Sequence, residues 1–408
     1  MIADDACPGS VEWRHTHRQQ LFAFAARARR DVGFGWLDEH GRDDPTHGLE
    51  LWINARMTYV FSVAAVLAAP GAQDLAEHGV RALSTGLHDD EYGGWFDEVT
   101  ADGSVPDGSV PDGTKRCYGH TFALLAAATA HSAGIEGSAE LFAEAQHVHG
   151  TWFWDGAAGR CVQQRSRDWS QVDSYRGANA NMHAVEAYLF TADATGESIW
   201  LDRADSICQH LIGTTARAHQ WRVVEHFDHK WEPDLDLNRD QPDHPFRPFG
   251  ATPGHAFEWS RLLLQLDAAV DDSQTWRAEA AEHLFARAVD DALEEGALLP
   301  YTTDWEGTPV VAERFHWVMA EAVQAAEVLA ATTGRAAYAD LAHRWWSEIA
   351  DHLIDHDGSW RHELSATLAP SSRTWRGRPD AYHGVNALTC PDLPLSPTAA
   401  VALGGASR

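Results

Sequence analysis

ELWINARMTYVFSVAAVL (residues 50–67), AQDLAEHGVRALSTGL (72–87) and YGGWFDEV (92–99) follow one another almost without a gap. The first two carry apolar residues at helical spacing, and the third is a short Gly/Trp-rich piece of strand-like character. Further pieces of the third kind recur about 60 to 80 residues apart: GFGWLDEHG (33–41), DGAAGRCVQQ (155–164), WRVVEHFD (221–228), PYTTDWEG (300–307) and DGSWRHEL (357–364). Two helix-length segments lie between successive pieces. Helix starts fall near residues 12, 48, 72, 118, 138, 180, 198, 252, 275, 313, 335 and 380. Roughly twelve helices in six pairs, each pair closed by a short loop, indicate an all-α (α/α)6 barrel. A single domain over 1–408 is expected, with even-numbered helices inside and odd-numbered ones outside. A βαβ architecture is disfavoured, because no hydrophobic strand runs occur at the needed spacing. The direct repeat in ADGSVPDGSVPDGT (101–114) reads as a mobile surface loop.

Composition narrows the function. The chain of 408 residues is 44% hydrophobic and holds 18 Trp, enough for a large core and more aromatic surface than a plain helical scaffold needs. Its formal net charge of -29, from 31 Lys+Arg against 60 Asp+Glu, repels phosphate backbones and anionic lipid. Nucleic acid and membrane surfaces are therefore poor partners. The N-terminus has no basic start followed by an apolar run, and no stretch approaches 18 uninterrupted apolar residues. The five cysteines stand far apart with no C-x-x-C. Reduced thiols in a cytoplasmic protein are the expectation. No feature of the sequence marks an oligomeric interface.

Polar residues gather on the even-numbered helices: Trp52, Asn54 and Arg56 on the second, Tyr118 and His120 opening the fourth, and Asn179, Asn181, His183 and Glu186 starting the sixth. Trp317 and Glu321 follow on the tenth, with Glu313 one turn before Trp317, and Tyr382 and His383 open the twelfth. Polar groups converging from inner helices suit a central pocket and would be rejected by an apolar core. The eighth helix begins in GATPGHAFEWSR (250–261). Thr252 reads as its N-cap, Pro253 as its first residue and His255 as its third, with Glu258 on the same face. The glycines there suit a close ligand. With Asp380 as N-cap, His383 repeats the geometry of His255. The positive helix end disfavours imidazolium, so both rings tend toward the neutral form of a general base. Glu258 is placed to hold the other nitrogen of His255.

Other chemistries are weaker. G-x-S-x-G, P-loop, H-E-x-x-H and dinucleotide motifs are absent, and HFDH (226–229) reads as a coincidental histidine pair rather than a metal site. Glycoside hydrolysis could use Glu321 with Glu258 or Asp304, but a site rich in imidazoles argues against it.

GFGWL, LWINARM, YGGWF, NANMHAVEA, RVVEHFD, ATPGH, FEWSR, DWEG and DAYH, in this order and spacing, resemble the N-acylglucosamine 2-epimerase superfamily over nearly the whole chain. Within it they look closest to bacterial aldose–ketose isomerases that act on mannose, lyxose or sulfoquinovose. The resemblance implies the same barrel, a monosaccharide as partner, and no metal or organic cofactor. It places Arg56, Asn179, Trp317 and Glu321 on sugar hydroxyls, Tyr118 near the pocket and Asp380 among the substrate-binding residues. It places His183, His255, Glu258 and His383 at catalytic positions. Ring opening would fall to His183 or His255. His383 would take the proton from C2, and Arg56 would stabilise the resulting cis-enediolate. Epimerisation at C2 would instead need His255 to deliver a proton on the opposite face.

The substrate implied is D-mannose, with D-lyxose as a smaller analogue. Sulfoquinovose-type relatives carry a basic residue and a glutamine where this chain has Pro245 and His362, although Arg247 remains, and Pro379 replaces a polar residue of some relatives. The alternatives are a sulfoquinovose isomerase, a sugar 2-epimerase, a glycoside hydrolase and a carbohydrate-binding barrel without chemistry.

Overall fold

The computed structural model describes residues 6–101, 113–270, 272, 274–292 and 298–406. Residues 102–112 of the direct repeat lie outside that set, and with them the expectation of a mobile loop. Thirteen α-helices occur among the described residues: α1 (Val11–Ala25), α2 (Leu51–Val66), α3 (Ala72–Arg81), α4 (Cys117–Ser132), α5 (Ser138–Val148), α6 (Ala178–Thr195), α7 (Ile199–Cys208), α8 (Pro253–Ala269), α9 (Thr275–Ala292), α10 (His316–Thr333), α11 (Ala336–Glu348), α12 (Tyr382–Thr389) and α13 (Ala399–Ala406). The first twelve are those expected from periodicity, each starting within about three residues of the expected position.

Even-numbered helices form the inner ring, each packing on the next from α2 to α12, and α12 closes onto α2. Residues 51–64 of α2, 253–264 of α8 and 382–389 of α12 are all buried. Helices buried on every side must be apolar or small all round, as FALLAAATA in α4 is. The outer helices bury one stripe only. In α9 it runs through Arg277, Ala280, Ala281, Leu284, Phe285, Ala288 and Ala292, the three-and-four spacing of one helix face.

The Gly/Trp pieces lock the ring together. Each bonds to the chain just before an inner helix: Glu98–Val99 to Leu49–Glu50, Gln164–Arg165 to Lys115–Arg116, His226–Phe227 to Arg176–Gly177, and Glu363–Leu364 to Arg314–Phe315. Thr303 bridges Ala251 in the same way. The sixth contact joins the ends of the chain, where Arg378 N–H, four residues before α12, donates to Leu37 C=O at 2.8 Å. Helix α1 is thus the outer partner of α12.

Side chains strengthen these joints. Asn54 receives Phe34 N–H at 2.7 Å and donates to Phe34 C=O at 3.1 Å. Asn181 does the same for Cys161, at 2.8 and 3.1 Å. His120 receives Trp95 N–H at 3.2 Å. These three were expected at a central pocket. They are each the fourth residue of an inner helix, and roughly 200° of rotation separates that position from the second residue, so their side chains clasp the loops instead.

Helix α13 was not expected from periodicity. It packs on α2 and α4, and just before it Thr398 N–H donates to Asp193 near the end of α6, at 2.6 Å. It therefore covers the end of the barrel opposite the inner-helix starts. No described helix is long and apolar enough to cross a membrane.

Candidate active site

The second residues of the inner helices face a common recess of about 700 Å³: Trp52, Tyr118, Asn179, Trp317 and His383. One turn deeper, on the same faces, stand Arg56, His183 and Glu258. This i, i+4 ladder is the geometric reason that residues so far apart in sequence meet. The exception is Gly254, the second residue of α8. A Cβ there would lie 2.3 Å from the Trp317 ring, which fills the missing side chain's place. Gly250, at φ +91°, lies with its absent Cβ 2.1 Å from Thr303 C=O. These glycines serve the packing of protein on protein, not the approach of a ligand.

His383, His255, His183, Glu258, Arg56, Tyr118, Asn179, Trp317 and Asp380 all line the recess. Glu321 does not. It lies fully buried behind His383 and accepts from that ring's Nδ1 at 2.8 Å. Expected among the sugar contacts, Glu321 instead fixes the His383 tautomer, leaving Nε2 for the recess.

His255 has the same kind of anchor from a different source. Its Nδ1 donates to Glu225 at 2.8 Å, not to Glu258 as expected. Glu225 arrives on the loop after α7, whereas Glu258 points along its own helix toward His183 Nδ1 at 3.5 Å and Arg261 at 3.7 Å. The Trp317 ring stands between the two anchored imidazoles, with centroids 5.1 Å from His255 and 5.8 Å from His383. The helix starts also differ in detail from expectation. Thr252 makes no side-chain cap, and its hydroxyl is buried without a partner. Ala381, not Asp380, caps α12, so His383 is its second residue, while Asp380 accepts Tyr382 N–H at 2.9 Å.

Charge in the recess is set by burial. The His383 ring is held well below the usual histidine range by desolvation, reinforced by the Arg56 cation. Burial lowers His183 to about 4 despite its contact with Glu186. Beneath them Arg261 faces Glu321 at 3.1 Å, Glu258 at 3.7 Å and Glu186 at 3.9 Å. One guanidinium cannot neutralise three carboxylates. Burial, with repulsion from Glu321 and Glu186, pushes Glu258 well above the carboxylate range, so it stands as a neutral acid. Its contact with His183 is therefore between neutral groups and is no ion pair. His183, Glu186 and Glu258 bring ligand atoms within 4.8 Å of one another, as a metal would require. Arg261 already supplies the cation there.

Arg56 is the fixed positive charge of the recess. It donates to Asp380 at 3.2 Å and to the Tyr118 hydroxyl at 2.8 Å, and packs on the rings of Phe122, Tyr382 and Trp52. Asn179 keeps a buried Oδ1 with no partner. At the mouth, Trp375 and the half-exposed Phe246 meet edge to face at 5.2 Å. Glu363 holds the Trp375 loop by accepting the N–H groups of Arg373, Thr374 and Trp375.

The match to known proteins agrees with this geometry. Residues 33–387 match the N-acylglucosamine 2-epimerase (GlcNAc 2-epimerase) family model. The chain belongs to the N-acylglucosamine 2-epimerase family. It is 42% identical to a D-mannose isomerase of Thermobifida fusca, over 96% of each chain. It is 41% identical to a D-mannose isomerase of Pseudomonas cannabina pv. alisalensis, over 98% of this chain and 96% of the other. A crystal structure of a D-mannose isomerase superposes with a TM-score of 0.86 at 28% identity, covering 95% of this chain and 99% of that one.

For this member of the epimerase family, sequence reading missed three residues of the site. Glu225 sits in WRVVEHFD, a marker of the repeat; His362, in DGSWRHEL, bears on substrate choice by sequence but carries no place in the site there; and His316, first residue of α10, has no sequence signal of its own. His316 and His362 stack with centroids 3.8 Å apart and line the recess, both rings driven toward the neutral form by burial. A charged side chain inside an otherwise apolar loop piece, as in VVEHF, was the available signal.

Proposed function

We propose that this enzyme is an aldose–ketose isomerase that interconverts D-mannose and D-fructose, and D-lyxose and D-xylulose more weakly. The observation that carries the reading is the His383–Glu321 pair. It is a neutral imidazole with a fixed tautomer, its free Nε2 on the recess and the Arg56 cation in the same wall. Full-length similarity to two D-mannose isomerases supports the substrate.

In this reading His255 opens the pyranose ring, and its free Nε2 moves the proton between O1 and O2. His383 Nε2 removes the proton from C2 of the open aldose. Arg56 and the neutral Glu258 carboxyl stabilise the charge that develops on the cis-enediolate oxygens. His383 then returns the proton to C1 on the same face, and the ketose leaves. Asn179 Oδ1, unpartnered within the protein, accepts from a sugar hydroxyl, and Trp317 packs on the sugar's apolar face.

A neutral sugar fits better than an anionic one. Among the described residues, the one lysine or arginine lining the recess is Arg56, which Asp380 already pairs. Arg247 faces the neighbouring cavity and stacks on Tyr175 at 3.9 Å. The five free thiols fit a reducing, cytoplasmic setting.

Epimerisation at C2 is the second reading, favoured by one observation: two anchored imidazoles flank Trp317, as a two-face proton transfer would need. Timed product analysis with D-mannose separates the readings. Fructose as the first product, at higher kcat/KM than with lyxose or sulfoquinovose, supports the isomerase. Glucose formed without a fructose lag would replace it with the epimerase.

A further inference from the structure

A second cluster of chemistry-bearing side chains lies outside the recess. Cys117 opens α4, His149 follows α5 on a wide π-helical turn (His149–Phe153), and Cys161 sits in the next Gly/Trp piece. All three are buried, and their ligand atoms lie within 4.8 Å of one another. We propose that Cys117, Cys161 and His149 form a zinc-type binding site, with the Thr121 hydroxyl as fourth donor.

The hydrogen bonds fit that assignment. Tyr188 hydroxyl stands 3.2 Å from His149 Nδ1 and 3.3 Å from Cys161 Sγ. Nδ1–H donates to the tyrosine oxygen, whose own proton points to the sulfur. The Nε2 lone pair is then turned toward Thr121 Oγ1 at 2.9 Å and Cys117 Sγ at 4.0 Å. A metal-binding histidine characteristically has its other nitrogen engaged in this way. Zn–S bonds of about 2.3 Å and Zn–N bonds of about 2.0–2.1 Å set tetrahedral edges of about 3.5–3.8 Å. The Cys117 Sγ to His149 Nε2 separation, at 4.0 Å, needs to contract by about half an ångström, and the Thr121 Oγ1 to Nε2 separation, at 2.9 Å, to widen by about as much, to meet them.

Charge selects the ion. Zn²⁺ replaces the two thiol protons, giving a neutral Zn(S⁻)₂ unit and releasing two H⁺. A monovalent soft cation can replace only one of those protons without leaving a net negative charge in a fully buried place, and so would engage one thiolate instead of two. Occupancy ties the start of α4, next to Tyr118, to the loop at 149–161, so the metal acts as a staple rather than a reagent.

The test uses the whole protein and does not depend on which sugar it turns over. Cd²⁺ is titrated first, incubated long enough for a buried site to open. One equivalent should raise a thiolate-to-cadmium charge-transfer absorption. Zn²⁺ in weak buffer should then release about two protons per ion and raise the melting temperature. Cys117→Ser/Cys161→Ser should lose the absorption and the proton release, with circular dichroism reporting its fold. His149→Gln, which keeps both thiols, should bind markedly more weakly. No absorption in the wild-type protein, or metal held without sulfur ligation by the histidines of the recess, overturns the proposal. So does an unchanged signal in the double variant.

Discussion

His383 and His255 are both anchored through Nδ1 to a glutamate at 2.8 Å, yet the two pairs are built from different material. The His383 partner, Glu321, comes from an inner helix and is tied further to Arg261 and to Gln324 at 3.1 Å each. The His255 partner, Glu225, comes from a loop, and the bond to His255 is the one polar contact its carboxylate makes among the described residues. One imidazole is held by the barrel's buried charge network, the other by a local clasp. In the proposed reaction the first arrangement suits a base that must be fixed and neutral at every turnover. The second suits a group that exchanges protons between sugar oxygens.

The largest effect expected from this asymmetry is in turnover. His383→Ala should lower kcat by on the order of 10³-fold or more, and His255→Ala by about 10²-fold, with melting temperatures near the wild type. Equal losses would remove the distinction, and near-normal activity of His383→Ala would remove the mechanism.

The carboxylates come next. Glu321→Gln and Glu225→Gln should each lower kcat by about 10- to 100-fold, since each fixes a ring tautomer. Only Glu321→Gln should also lower the melting temperature, because it alone leaves a buried guanidinium short of a partner. A stability loss in Glu225→Gln of the same size would show that the two pairs are equally structural.

Stability against pH sharpens the same contrast. His183, His316, His362 and His383 all have folded-state pKa values below the unfolded 6.5. The unfolded chain therefore takes up protons first as pH falls. Stability from these groups is complete above about pH 6.5 and is lost toward pH 4, each contributing a slope of up to about 1.4 kcal/mol per pH unit. Denaturant melts between pH 4 and 7 measure it, and His362→Gln should flatten the curve. A melting curve flat across that window would mean that the rings are not buried as neutral groups.

The smallest effect belongs to Asn179. Asn179→Ala removes one hydrogen bond to substrate, worth about 1 kcal/mol, and should raise KM about five-fold with kcat little changed. An unchanged KM would place the sugar elsewhere.

Most of the helical frame, and the site residues it carries, was legible in sequence because helix periodicity is a local signal. Arg56, His183, Glu258 and His383 follow from their place on inner helices. What was not legible depends on the loops. Glu225 reaches His255 from 30 positions away, and no spacing rule connects a loop carboxylate to a helix opened by another piece of chain. Glu258 was assigned to His255 because neighbours on a helix are the only pairs that sequence displays. Asn54, His120 and Asn181 were assigned to the recess because polarity reveals burial needs but not direction. Helix α13, in AAVALGGA, offers too few turns and too much glycine for a periodic signal.

The most direct test of a single base acting on one face is to convert D-mannose to fructose in deuterated buffer and read C1 by NMR. Any deuterium at C1 of fructose, taken up where the proton on His383 exchanges with solvent before its return, is expected in only one of the two diastereotopic positions, with no early glucose. Deuterium spread equally over both positions, or glucose deuterated at C2 before fructose appears, would contradict it.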